Sequence, residues 1–263
     1  MNPFLTEPDK KETLGLAQQE ALTRMRHVMD TGSLGVLTGE VGSGKSTLLG
    51  MLAAEQQQKE RQVVWLSSSR MSVRELYAGV LKALGETPAF SATKVRQQWR
   101  ELLESRSLSG GRDILLLIDE AHEMPDATLL EIRFLMTAPQ RTQPAFPVIL
   151  AGQGRLRRSL NTNLMEPIAQ RVRMQYHLGG LTAAECQKYL DDRMEAADLK
   201  RPVFTEAACR AIHSISQGIP RVVNQLAGSS LMLVQRGNEN AVEERHVKSI
   251  LSDMEQQRGI RAG

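Results

Sequence analysis

Eight consecutive residues, Gly39-Glu40-Val41-Gly42-Ser43-Gly44-Lys45-Ser46, satisfy the pattern G-x-x-x-x-G-K-S/T at every fixed position. Residues of these types at this spacing hold phosphate groups. Glycines let the backbone curl, so that successive N–H groups converge on an anion. A helix that follows adds its unpaired N–H groups and the positive end of its dipole. Lys45 brings a movable cation for β- and γ-phosphates, and Ser46 a hydroxyl for Mg²⁺. The flanks suit this reading. Gly35-Val36-Leu37-Thr38 is a short apolar run of strand type, and Thr47 opens an apolar helical stretch. Gly39, Glu40, Val41, Gly42, Ser43, Gly44, Lys45, Ser46 and Thr47 are therefore the predicted nucleotide-binding residues.

A second acidic pair completes this chemistry. Asp113 to Glu120 (DILLLIDE) is the most apolar strand candidate in the chain and shows no alternation, so both its faces should be buried in a parallel sheet. The carboxyl ends of central strands line the ligand crevice of an open α/β sheet. Asp119 at that end can hold Mg²⁺ together with Ser46, and Glu120 can polarise the attacking water. Asp119-Glu120-Ala121-His122 also spells DEAH, a helicase tetrapeptide. That reading is rejected, because a helicase needs a second motor domain and the residues after 180 are too few and helical.

Four further residues carry polar groups where a phosphate-driven motor uses them. Gln153 follows the fourth predicted strand, beside Asp119, and could orient water or the γ-phosphate; it reads equally as a turn glutamine. Arg171 and Arg173 lie on the strand leaving the core, where an arginine offered to a neighbouring subunit's γ-phosphate stabilises the transition state. Arg171 is the preferred finger, against a surface ion pair. Arg221, just after Gly218-Ile219-Pro220, opens a helix from which a cation could sense the γ-phosphate.

The elements that position these groups follow from hydrophobic spacing and punctuation. Residues 1–15 form an arm, with Phe4 and Leu5 packing it on the core. Residues 16–30 place Leu16, Ala17, Ala21, Met25 and Val28 on one helical stripe. Strands are predicted at 35–38, 62–67, 113–120, 146–151 and 171–178, the last at an edge. A Ser72/Glu75 capping box opens a helix to Leu84. A polar helix spans 93–105, Ser107 to Arg112 is a loop, Pro125-Asp126 start a helix to Thr137, and Arg155 to Leu160 is a short basic helix. Beyond Gly179-Gly180 only helices follow: one capped by Thr182/Glu185, one capped by Thr205, one from Gly218 to Arg236, and one over 242–257 with a frayed tail at 258–263. Alternating strands and helices imply a parallel, doubly wound α/β core over 16–179, with an all-helical lid over 180–257.

Composition sets the class. Of 263 residues, 41% are hydrophobic and 24% charged, as in an ordinary globular protein. The net charge of +3 permits a nucleic-acid partner without demanding one. It is unevenly placed: residues 1–140 carry 16 Lys and Arg against 18 Asp and Glu, and residues 141–263 carry 17 against 12, giving −2 and +5. Cys186 and Cys209 stand in no metal-ligand spacing and read as small buried thiols. No signal peptide and no apolar run of membrane-spanning length is found, so a cytoplasmic location is expected.

Taken together, the GEVGSGKST loop, the LLLIDEAH strand, the ILAGQ strand, the AQRVRMQYHLGGLTAAE junction and the SQGIPRVVNQL helix resemble the landmarks of AAA+ ATPases of the ExeA/GspA-like group, over residues 15–255. The resemblance implies a P-loop NTPase fold with a five-stranded parallel sheet and a C-terminal helical lid. It also implies ATP and Mg²⁺ at subunit interfaces of a ring or helical filament. By that resemblance Lys45 and Ser46 are Walker A, Asp119 and Glu120 Walker B, Gln153 sensor one, Arg171 the arginine finger and Arg221 sensor two. The group has two branches. Secretion-type members continue into a membrane span and a periplasmic part. Stand-alone members of the Mu B, TnsC and TniB type polymerise on double-stranded DNA and recruit or stimulate a transposase. A chain stopping at Gly263 fits the second branch better; a secretion or envelope ATPase that does not touch DNA is the alternative. DNA contacts would come from Arg70 and Arg74 in the loop after the second strand, then from Lys94, Arg96 and Arg100. They would hold phosphates without reading bases, although a solvated basic surface explains each of these residues as well.

Overall fold

The computed structural model describes residues 2–4, 14–67, 70–109, 113–137, 144–198 and 203–261. Five strands, β1 (Leu34–Gly39), β2 (Gln62–Ser67), β3 (Ile114–Asp119), β4 (Val148–Gly152) and β5 (Val172–Leu178), form one sheet in the order β2-β3-β4-β1-β5. Every pairing is parallel. The helices are α1 (Leu16–Thr31), α2 (Lys45–Gln58), α3 (Val73–Ala83), α4 (Ala92–Ser109), α5 (Asp126–Leu135), α6 (Gly154–Leu160), α7 (Glu166–Ala169), α8 (Ala183–Ala196), α9 (Glu206–Ser216), α10 (Pro220–Arg236) and α11 (Glu244–Arg261).

Burial along the strands explains their order. Every residue of β1, β3 and β4 is buried, as unbroken apolar runs require of central parallel strands. β5 alternates half-buried and exposed residues, as a strand at the rim does. Because all strands run the same way, the loops after Gly39, Asp119 and Gly152 leave from one edge of the sheet. Thr38 pairs with Gly152, so the glycine-rich loop and Gln153 begin side by side.

By its internal contacts the chain separates into two compact units. The first to consider comprises Glu20–Val41 and Lys45–Leu178 and holds the sheet. Its core joins Val36, Leu116, Ile118 and Leu150 to Leu76, Leu81, Trp99 and Ile132. Trp99 is 1% exposed; its Nε1–H donates to Leu135 O at 2.9 Å, and its ring meets Phe146 edge-on. Glu131 ties three helices together: it takes Arg96 Nε at 2.7 Å and Nη2 at 3.0 Å, and the Tyr77 hydroxyl at 3.0 Å. The second unit comprises Met1–Gln19, Gly42–Gly44 and Gly179–Gly263. It is helical, with Leu190, Ile212, Val223, Leu226 and Val247 at its centre. The capping boxes predicted at Ser72/Glu75 and Thr182/Glu185 are present, and Thr205 caps α9. Both cysteines are free and buried in this unit.

Several expectations are corrected. Phe4 packs within the helical unit, edge-on to Phe204 at 5.8 Å, and not on the sheet; Leu5 lies outside the described residues. Leu16 is 73% exposed and stands off the apolar stripe of α1, which buries Ala21, Leu22, Met25, Val28 and Met29. The helix expected to end at Ser105 continues to Ser109, where a loop was predicted. Arg106 in that added turn donates to Gln62 Oε1 at 2.9 Å, a tertiary tie that overrides weak local propensity. The last helix runs on to Arg261 through the predicted tail. Among the described residues, no helix is long and apolar enough to cross a membrane.

Candidate nucleotide site

The glycine-rich loop leaves β1 at Gly39 and enters α2 at Lys45. Gly42 and Gly44 adopt φ values of 82° and 99°, a region that side chains disfavour. Space adds to the constraint at Gly42, where a Cβ would stand 2.5 Å from Arg221 Cβ. Lys45 is 5% exposed, and its ammonium donates to Gly39 O at 3.0 Å and Glu40 O at 2.9 Å. A nearly buried cation resting on loop carbonyls is poised to exchange them for stronger anionic partners.

Ser46 and Asp119, 73 positions apart, meet: the hydroxyl donates to Asp119 Oδ2 at 2.6 Å. Asp119 is 5% exposed, and its Oδ1 accepts the Glu120 N–H at 2.9 Å. Glu120 itself has left-handed backbone, φ 54° and ψ 31°, which ends β3 and begins a short 3-10 turn, Ala121–Glu123. Its side chain is 46% exposed. Gln153 caps α6 at the end of β4, and its N–H donates to His122 Nδ1 at 3.3 Å.

These residues fit a nucleotide with its metal. The Ser43 hydroxyl is buried and lacks a hydrogen-bond partner among the described residues, an orphaned donor inside the loop that is shaped for an anion. Ser46 and Asp119 supply two close oxygens of the kind that hard divalent cations take.

Of the predicted residues, Gly39, Glu40, Lys45, Ser46, Asp119, Glu120 and Gln153 gather at one edge of the sheet. Val41 is 53% exposed and Thr47 is exposed at the start of α2. Arg171 precedes β5 and donates its N–H to Ile168 O at 2.9 Å; Arg173 is exposed on β5. Val172 pairs with Leu34, so Arg171 sits at the opposite end of the sheet from the phosphate loop. Arg221 is exposed in the first turn of α10, and its N–H donates to Gly42 O at 3.2 Å within the helical unit.

The basic residues proposed for DNA divide into two sets. Arg74 folds back on the 89–90 segment, bonding Phe90 O and, at 3.4 Å, Ala89 O, with its guanidinium 5.6 Å from the Phe90 ring. Arg96 is committed to Glu131. Arg70, Lys94 and Arg100 are exposed. Ser68 and Ser69, in the loop that carries Arg70, lie outside the described residues. The groups that sequence reasoning passed over are His122 and Glu123. His122 is the last letter of the DEAH tetrapeptide; Glu123 follows it and carries no sequence signal of its own.

Known proteins share this fold. A family model described as AAA domain matches residues 26–160. General secretion pathway protein A of Aeromonas hydrophila is 27% identical over 246 residues, covering 91% of this chain and 44% of its own length. The chain thus spans less than half of that relative. The Aeropyrum pernix ORC2 protein in ADPNP–ADP complexes aligns with a TM-score of 0.67 at 16% identity, over 95% of this chain and 71% of that one. The Aeropyrum pernix ORC1 protein in complex with DNA gives 0.65 at 18% identity, over 97% and 69%. At such identities the likeness is one of fold.

Proposed function

The chain belongs to the AAA domain family, and on that premise we propose that it is an ATPase whose ATP state drives assembly on a macromolecular partner. The observation that carries this reading is the Ser46–Asp119–Glu120 constellation beside Lys45. ATP would lie on the Gly39–Thr47 loop, and Lys45 would exchange its two carbonyls for phosphate oxygens. Ser46 and Asp119 would hold Mg²⁺, which neutralises phosphate charge when bound. Glu120, half-exposed at the end of β3, would accept the hydrogen bond that orients the attacking water, with Gln153 beside it.

Arg171 is too far along the sheet to serve its own phosphate loop. β1 rises five steps from Leu34, at the level of Val172, to Gly39, about 17 Å at strand rise. That separation supports a finger offered to the next copy in a ring or filament. Arg221, in the first turn of α10 within the helical segment 180–257, is assigned by motif resemblance to sensing the γ-phosphate.

For the partner, the primary reading is double-stranded DNA held without base specificity, with transposase recruitment as the output. Exposed Arg70, Lys94 and Arg100, together with a fold shared with a DNA-bound ORC1 protein, support the DNA part; the transposase rests on motif resemblance. One observation favours a second reading, a secretion-linked ATPase: the match to general secretion pathway protein A. The deciding experiment measures ATP turnover and electrophoretic DNA binding in ATP and in ADP, with Lys45→Ala as the non-binding control. DNA binding that needs ATP and weakens steeply with salt favours the first reading. Intact turnover with no DNA binding in either nucleotide favours the second. Undiminished ATP affinity in Lys45→Ala would overturn the phosphate-loop assignment itself.

A further inference from the structure

One imidazole beside the end of β3 touches groups that follow two strands, β3 and β4. The His122 side chain is 4% exposed. Its Nδ1 accepts the Gln153 N–H at 3.3 Å. The same Nδ1 lies 3.3 Å from Glu120 Oε2, and its Nε2 lies 3.2 Å from Glu123 Oε1. Gly152 permits this approach: a Cβ there would stand 3.1 Å from the His122 backbone N and 3.3 Å from His122 Cβ.

A neutral imidazole carries one proton, and its other nitrogen accepts. An Nδ1 that accepts from Gln153 holds no proton, so the proton sits on Nε2, against the Glu123 carboxylate. That tautomer suits Gln153 and Glu123 at once. It also turns a lone pair toward Glu120, which then finds no donor on the ring. Moving the proton to Nδ1 reverses each relation. The Gln153 N–H loses its acceptor, and Glu120 gains a charge-assisted hydrogen bond that would hold its carboxylate to the ring and away from water. The neutral ring therefore has two tautomeric arrangements, and the seat of Gln153 at the end of β4 selects between them.

We propose that His122 is a positioning residue that keeps Glu120 available, its proton fixed on Nε2 by Glu123 and by the Gln153 N–H. The proposal rests on the reading of Glu120 as the residue that activates water. It gives Glu123, an acid with no place in the phosphate site, control over the hydrolytic step. It also gives a displacement of Gln153 a direct route to the Glu120 carboxylate.

Glu123 is the residue to change, because its side chain is 42% exposed and its removal leaves the core intact. Steady-state ATP hydrolysis by the full chain would be measured alongside affinity for a fluorescent ADP analogue. Glu123→Ala is expected to lower kcat roughly tenfold, with KM and ADP affinity unchanged. Glu123→Gln keeps an acceptor oxygen opposite Nε2 and is expected to stay within about twofold of the unmodified protein. Unimpaired kcat in Glu123→Ala, or equal losses in both variants, would overturn the relay. Glu120→Gln, run in parallel, separates the two ideas. Undiminished turnover there removes Glu120 from water activation and the relay with it. An inactive Glu120→Gln beside a fully active Glu123→Ala sinks the relay alone.

Discussion

The Ser46 hydroxyl donates to Asp119 Oδ2 at 2.6 Å and so joins the first turn of α2 to the last residue of β3. Ser46 and Asp119 would together hold a divalent cation, which would supply charge neutralisation to the phosphates. ATP affinity should therefore depend on Mg²⁺ through this pair. Chelation is expected to weaken ATP binding at least about tenfold in the unmodified protein and to have little effect in Asp119→Asn. Calorimetric titration with and without Mg²⁺ checks this, and equal Mg²⁺ dependence in both proteins would remove Asp119 from the metal site.

Glu120 can be neutralised without changing its shape. Glu120→Gln should bind ATP as tightly as the unmodified chain and turn it over on the order of 100-fold more slowly. Single-turnover hydrolysis separates this from a loss of binding.

Arg171, at the end of the sheet remote from the phosphate loop, should act only across an interface. Arg171→Ala is expected to lose hydrolysis while keeping ATP affinity. Mixing it with inactive Glu120→Gln copies should restore part of the rate, because some interfaces then combine an intact finger with an intact Glu120. No recovery at any mixing ratio would return Arg171 to an ordinary surface role.

The Tyr77–Glu131–Arg96 cluster should govern stability and leave the nucleotide alone. Burial and the adjacent Glu131 carboxylate push the Tyr77 phenol up, and the hydrogen bond to Glu131 raises the pKa of the Arg96 guanidinium. Glu131→Ala leaves the buried Tyr77 hydroxyl without its acceptor while the Arg96 guanidinium, 39% exposed, turns to water, at a cost of about 1–3 kcal/mol in denaturant unfolding. ADP affinity measured on the folded variant should not change.

The two cysteines give the alkaline limb of stability a specific origin. Burial, then the neighbouring Cys209, pushes the Cys186 thiol up to about 12; burial, then Asp191, pushes Cys209 up to about 11. The unfolded chain ionises these groups near 9.0. The folded state thus binds more protons between the two values, and stability present below pH 9 is lost as pH rises toward 11–12. Cys186→Ala/Cys209→Ala should flatten the fall in melting temperature above pH 9, and native thiols should resist alkylation at pH 8.

A feature of this fold is legible in the sequence to the extent that its determinants are local. The phosphate loop and the all-apolar β3 were legible because a fixed glycine spacing and an unbroken buried run each have one structural solution. The capping boxes were legible for the same reason. The last turn of α4 was not, because Arg106 finds Gln62 only once β2 has folded beside it. The position of Phe4 depends on Phe204, 200 residues away. His122 was in view as a letter of DEAH, but its importance comes from Gln153, which reaches it only through the β3-β4 pairing.

The left-handed backbone of Glu120 has an evolutionary consequence. A non-glycine residue in that conformation costs roughly 1 kcal/mol, so Glu120→Gly should make the fold slightly hardier while removing the carboxylate. A library screened only for heat resistance would enrich such replacements and drift toward inert variants. Descendants released from the need to turn over ATP would be expected to shed this residue early and to keep the phosphate loop longer.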